Sequence, residues 1–261
     1  YASQTLNDCE NTSRLEVTVT IYDTPPPTTN DDTQEFCIQD GATVGDIDVN
    51  VTGVTWYDMP IGGTAYSNTV VLINGQTYYG SQILNGCEST SRLEVTVTIY
   101  DTPPPTTDDA SPEFCIQDNA TIVDLQVTGT AIIWYDMPTN GTVLGNDEPL
   151  EDGQTYYASQ TLNNCESTTR LAVTVSVFNT PPPTTTDDNQ DFCIQDDPRV
   201  SDIDVNEAGV TWFDMPTGGT AFGANESLID GQTYYGTQIL NGCESTSRLA
   251  VTVNVYNTPP P

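Results

Sequence analysis

The segment YASQTLNDCENTSRLEVTVTIYDTPPP at Tyr1 returns in close variants at Tyr79, Tyr157 and Tyr235, always at the same interval (79 − 1, 157 − 79 and 235 − 157 all equal 78). Trp56, Trp134 and Trp212 keep that interval, and no insertion or deletion breaks it. A fixed period of this length means tandem small domains, each repeat being one supersecondary unit that stacks on its neighbours. Three complete units are expected at 28–105, 106–183 and 184–261, with 1–27 the C-terminal part of a truncated repeat. The chain thus reads as a window onto a longer array, which is why it opens in mid-repeat.

Within a unit the apolar period is two. In "RLEVTVTIY", Leu93, Val95, Val97 and Ile99 alternate with Glu94, Thr96 and Thr98, the pattern of a half-buried strand. "VTWYD" and "QTYYGSQI" read as further strands. Val44, Ile47, Val49 and Val51 suggest another, broken by polar residues, and "IGG" and "NGC" mark turns. No segment sustains a helical period. Some seven short strands with frequent turns predict an all-β sandwich. Pro25–Pro27 and the matching triplets fix φ and predict semi-rigid, extended spacers.

Cysteines recur with the period: Cys37 and Cys87 are 50 apart (87 − 37), as are Cys115 and Cys165, and Cys193 and Cys243. The simplest arithmetic is one disulfide per domain, formed outside the cytoplasm. Cys9 corresponds to Cys87, so its partner is expected outside the chain. A free thiol for intermolecular bonding is the rival reading of Cys9. Without histidine or a closely spaced cysteine pair, zinc is disfavoured.

Cys37, Trp56-Tyr57, Gly62-Gly63, Tyr78-Tyr79, Gly86-Cys87 and Arg92-Leu93, with their counterparts, form a pattern that resembles the Ig-like repeats of large surface and secreted Bacteroidetes proteins. These are the repeats that accompany gliding-associated C-terminal domains. The resemblance covers essentially the whole chain and implies tandem Ig-like sandwiches used as spacers or adhesive modules. It departs from antibody domains in placing Cys87 eight residues beyond Tyr79 (87 − 79), inside the hairpin signal. A staple from the first strand to the last hairpin of the same domain is the expectation.

Charge narrows the function. The chain carries 37 acidic residues against five basic ones, all arginine, and a net charge of −32. Nothing here could replace the counterions of a nucleic acid, and no run of about 18 apolar residues suggests a membrane span. Lacking histidine and lysine, the chain offers few general bases and no amine nucleophile, so no enzyme is expected. Four of the arginines, Arg14, Arg92, Arg170 and Arg248, share one repeat position and are expected to pair with carboxylates such as Glu88 or Asp58. The tryptophans are expected in the core, and each tyrosine pair is expected to split between core and surface. Asp31, Asp32, Asp108, Asp109, Asp187 and Asp188 follow the spacers. Hard oxygen donors at a junction suit Ca²⁺, the one cofactor the sequence suggests.

The expected role is a structural extracellular or cell-surface stalk or filament whose partners are neighbouring repeats or copies of itself. The first alternative is an adhesin binding glycan or a surface protein, which requires Trp56, Tyr57 and Tyr66 to be exposed. The second is a non-covalent polymer in which the segment 1–27 completes a neighbour's domain.

Overall fold

The computed structural model describes residues 1–257, so the closing spacer prolines expected at 259–261 lie outside the described residues. No described residue is in an α-helix. The chain divides into two compact units: the first holds Tyr1–Thr102 with Thr161–Thr168, the second Pro103–Gln160 with the chain from Thr169 on.

In the first unit, the repeat starting at Thr28 builds one four-stranded sheet. Its order is the opening strand Thr33–Cys37, the closing strand Leu93–Tyr100, the tyrosine strand Thr77–Ser81 and the tryptophan strand Thr55–Tyr57. Opening and closing strands run parallel, with Cys37 opposite Tyr100; the other pairings are antiparallel. In the second unit the third repeat forms the same sheet from Asn189–Cys193, Leu249–Tyr256, Thr233–Thr237 and Thr211–Phe213. There too, the middle repeat splits its closing strand into Leu171–Thr174 and Ser176–Phe178, the latter parallel to Glu113–Cys115.

The opposite layer differs from the strand read from Val44 to Val51. Val44–Asp46 forms a 3₁₀ turn and the residues after it are irregular. Asp46 accepts from the Thr43 N–H at 2.7 Å, an arrangement that favours a cap over an extended ladder. The apolar side chains still point inward: Val44, Ile47 and Leu72 meet Trp56, Tyr78, Val95 and Val97 in one core cluster. Trp56, Trp134 and Trp212 are buried in their cores, and burying side chains of this size stabilises by about 2–3 kcal/mol each.

The tyrosine pairs divide as the strand period requires. Tyr78 is 1% exposed and its hydroxyl accepts the Ile73 N–H at 3.0 Å; Tyr156 and Tyr234 repeat the bond with Glu151 and Ile229. Tyr79, Tyr157 and Tyr235 are half-buried on the other face.

In the segment 1–27 the hairpin Thr5–Leu6 with Cys9–Glu10 pairs, and Ala2 and Leu15 exchange two backbone bonds in an isolated bridge, at 2.9 and 2.8 Å. Leu15, Val17, Val19 and Ile21 are exposed. Of their counterparts, Val95 and Val97 are buried and Leu93 and Ile99 half-buried, because an opening strand and a full tyrosine strand flank them. Here only Ala2 stands beside Leu15, and no opening strand among the described residues pairs with the segment.

Candidate functional site: the seam between repeats

The two bridges are Cys37–Cys165, within the first unit, and Cys115–Cys243, within the second. Each spans 128 residues and joins the opening strand of one repeat to the hairpin of the next. The staple expected inside each domain is therefore not formed, and Cys87 and Cys193 join Cys9 as free thiols. The physical reason lies in the sheet. Cys37 sits level with Tyr100, at the C-terminal end of the closing strand, whereas the hairpin carrying Cys87 precedes Leu93 at its other end. Seven residues of strand rise about 23 Å, far beyond the Cα separation of about 7 Å that a disulfide tolerates. The end of the closing strand leads instead into the next repeat, whose hairpin lies at hand, and the bridged Cα atoms are 5.3 and 5.4 Å apart.

The hairpins are built for this contact. The turns of the two bridged hairpins, Asn163-Asn164 and Asn241-Gly242, take left-handed φ of 49° and 59°, and 51° and 76°, and the unbridged Asn85-Gly86 takes 51° and 78°, the two-residue turn that matches strand twist. In the turn Ile38–Asp40 that follows Cys37, Asp40 accepts from the cysteine N–H at 3.3 Å; Asp118 does the same for Cys115 at 2.9 Å. In the second unit, Gln117 reaches over to donate to the Glu244 carbonyl at 3.1 Å.

The spacers are docked seams and not free rods. Thr24, Thr102 and Thr180 are buried, and their hydroxyls donate to the carbonyls of Cys87, Cys165 and Cys243 at 3.0, 2.9 and 2.9 Å. Gln82, Gln160 and Gln238 donate to the carbonyls of Pro25, Pro103 and Pro181 at 2.8, 3.0 and 3.0 Å. The third proline of each triplet, Pro27, Pro105 and Pro183, is buried. These threonines and glutamines are the functional residues that sequence reading passed over. Their strict recurrence beside the prolines and the hairpin was the available signal.

The repeated arginines find a different partner from the expected carboxylate. Arg92 lies 3.4 Å over the Tyr57 ring and donates to the Met59 and Gly62 carbonyls, the latter at 2.7 Å. Arg170 on Tyr135 and Arg248 on Phe213 do the same, bonding Met137 and Asn140, and Met215 and Gly218. The carboxylates expected to receive them are engaged elsewhere: Asp58 accepts the Thr64 N–H at 2.7 Å, and Glu88 accepts Ser81 Oγ at 2.6 Å and the Tyr57 hydroxyl at 3.2 Å. Those bonds, Ser81 foremost, hold the Glu88 carboxyl below its usual range. Arg14 does approach Glu10, at 3.9 Å.

The junction aspartates mostly serve the backbone. Asp31, Asp109 and Asp187 accept the N–H two residues on, from Thr33, Ser111 and Asn189, at 2.9, 2.9 and 3.0 Å. Asp32 and Asp188 lend their carbonyls to Thr96 and Thr252 at 2.8 Å each. Asp108 also lies in this exposed stretch. Among the described residues no three carboxylate or thiol groups gather as a metal cluster. Of the aromatics that an adhesive surface would need, Trp56 is buried, Tyr57 lies beneath Arg92, and Tyr66 packs on Tyr78 with its rings 5.4 Å apart.

A family model described as "Ig-like domain CHU_C associated" matches three times, at residues 25–100, 103–178 and 181–257. The chain belongs to this family. No curated protein matches. Similar solved structures include the I-band fragment I67-I69 from titin, at 9% identity and a TM-score of 0.33, covering 90% of this chain and 99% of that one. Sidekick-1 immunoglobulin domains 1–5 match at 13% and 0.22, covering 78% of this chain and 52% of that one. Extracellular domains 3–5 of Drosophila OTK match at 10% and 0.23, covering 89% and 100%. The match is to an Ig-like domain, a fold that is generally non-enzymatic, and tandem Ig-like repeats of this kind make a structural or adhesive repeat protein. Among the described residues no helix is long and apolar enough to cross a membrane.

Proposed function

We infer that this chain is a segment of an extracellular stalk or filament, in which Ig-like repeats are laced to one another by disulfides. The observation that carries this reading is the bridge between successive repeats. A staple inside a domain would stabilise that domain; a staple from one repeat to the next fixes the junction and transmits load across it. The docked spacer adds non-covalent stiffness at the same place. Oxidised cysteines and an acidic, lysine-free surface fit a protein exposed outside the cell, where thiols are not kept reduced.

The adhesive reading has less support, because the aromatics it relied on are buried or capped. Assembly by strand complementation retains one feature in its favour, the exposed apolar residues Leu15–Ile21. Junctional Ca²⁺ is a further proposal, resting on charge alone.

A tryptic map without reduction tests the carrying observation, since cleavage is confined to the five arginines. The laced array gives one species joining peptides 15–92, 93–170 and 200–248. Recovery instead of 171–199 joined to 200–248 would restore the within-domain staple and remove the basis of the proposal. A screen against glycans and surface proteins supplies the second arm: the stalk reading expects no saturable binding by the repeats.

A further inference from the structure

Two free cysteines occupy the two complementary halves of the seam. Cys193 ends the strand Asn189–Cys193 and leads into the turn Ile194–Asp196, as Cys37 and Cys115 do in their repeats. Those two are bridged and half-buried, whereas Cys193 is unbridged and exposed. Cys87 lies in a hairpin already seated on its spacer by the Thr24 and Gln82 bonds found at the bridged seams. Its turn has the same left-handed geometry as the bridged hairpin at Asn241-Gly242. Yet Cys87 is exposed, while Cys165 and Cys243 are 1% and 2% exposed. The hairpin is thus held in its bridging pose without the bond.

We propose that Cys193 is an attachment site for the hairpin cysteine of a further repeat of this sequence, and Cys87 the matching donor. The lacing is then a propagating ladder, in which each opening strand bonds the hairpin of the following repeat at the separation the two existing bridges share. The reaction needs a two-electron oxidant, here a small-molecule disulfide. The Cys193 thiolate attacks one sulfur of it and releases one thiolate. The hairpin thiolate then attacks the Cys193 sulfur of the mixed disulfide and releases the second. Two protein thiols are oxidised to one disulfide, and the reagent is reduced to two thiols. The inference rests on the stalk reading above.

The test extends the full chain by a copy of the stretch 106–183 placed after Pro261, which sets a hairpin cysteine beyond Cys193 at that same separation. After equilibration with glutathione disulfide, free thiols are alkylated and the protein is digested with trypsin. The expected result is peptide 171–199 joined to the peptide carrying the appended hairpin, with loss of Cys193 alkylation. Alkylated Cys193 alongside an intact Cys37–Cys165 pair overturns the inference and leaves the stalk reading standing; loss of the Cys37–Cys165 pair overturns both. The unextended chain, oxidised at rising concentration, separates the sources of the hairpin. A disulfide-linked ladder joining 171–199 to 15–92, abolished by Cys193→Ser, assigns it to a second copy. Its absence, with closure in the extended chain, assigns it to a contiguous repeat.

Discussion

Stretching the chain from its two ends, then cutting its disulfides, reads the lacing directly. With both bridges closed, the shortest covalent path runs from the N-terminus to Cys37 and crosses to Cys165. It then returns backward to Cys115, crosses to Cys243 and continues to the C-terminus. Between Cys37 and Cys243 the path follows only the stretch 115–165 in place of 37–243. At about 3.3–3.6 Å per extended residue, the difference hides about 156 residues and a contour of about 510–560 Å. The two bridges are interlocked, so cutting them does not release equal lengths. Opening either one first lengthens the path from about 50 to about 78 residues (115 − 37, or 243 − 165), releasing about 90–100 Å. Opening the second releases the remaining 128 residues, about 420–460 Å. The assay is single-molecule force spectroscopy at a clamp force that keeps the repeats unfolded, with a reductant added during the clamp. A short step followed by one more than four times longer is expected, whichever bond breaks first. Staples inside each domain hide almost the same total, but in three equal steps of about 165–180 Å, each freeing a loop of about 50 residues. Three equal steps would refute the lacing.

Arg92→Lys keeps the charge but loses the planar stack on Tyr57 that holds one terminal nitrogen, Nη1, between the Met59 and Gly62 carbonyls; we expect a loss of about 1–2 kcal/mol in denaturant melts followed by tryptophan emission. Gly63→Ala is expected to cost more, about 2–3 kcal/mol, because φ is +74° and the new Cβ would stand 2.1 Å from Asp58 Oδ1; an unchanged melt would show that the loop is not held as described. The carboxyls of Asp46, Glu88 and Glu207 are lowered by bonds, chiefly from the Thr43 backbone, Ser81 and the Thr184 backbone respectively. Groups lowered by folding stabilise above their unfolded pKa, so this part is lost as pH falls below about 4.5, and thermal melts should show it. Burial raises the hydroxyls of Tyr78, Tyr156 and Tyr234, whose contribution is present below pH about 10 and lost as pH rises through their folded values. With the Asp31, Asp109 and Asp187 carboxylates bonded to backbone, Ca²⁺ and Mg²⁺ at equal ionic strength are expected to raise Tm alike; a saturable, Ca²⁺-selective shift would point to a specific junction site.

Much of a repeat was legible because one-dimensional patterns fix it. The alternation from Leu93 to Ile99 gave a half-buried strand, and the Tyr78-Tyr79 pair had to split between faces. Trp56 has a core position because a large aromatic in a small sandwich has nowhere better to go. The Val44–Val51 stretch misled, since its apolar residues do face the core but from a 3₁₀ turn and an irregular run. Charge complementarity alone suggested a carboxylate for Arg92, and it could not show that Tyr57 and two carbonyls lay closer.

The repeat period, the all-β class and the membership of every cysteine in a recurring set follow from the sequence by itself. The bonding of those cysteines does not. In a strict repeat every opening-strand cysteine stands at one fixed interval before the hairpin cysteine of its own repeat and at another before that of the next, and both intervals recur equally well. Only the tertiary structure breaks the tie. Parallel pairing carries Cys37 to Tyr100, a full strand length from the hairpin of its own repeat, while the short docked spacer brings up the hairpin of the next. A disulfide needs its two sulfurs in contact, and the direction of one strand decides which pair can meet.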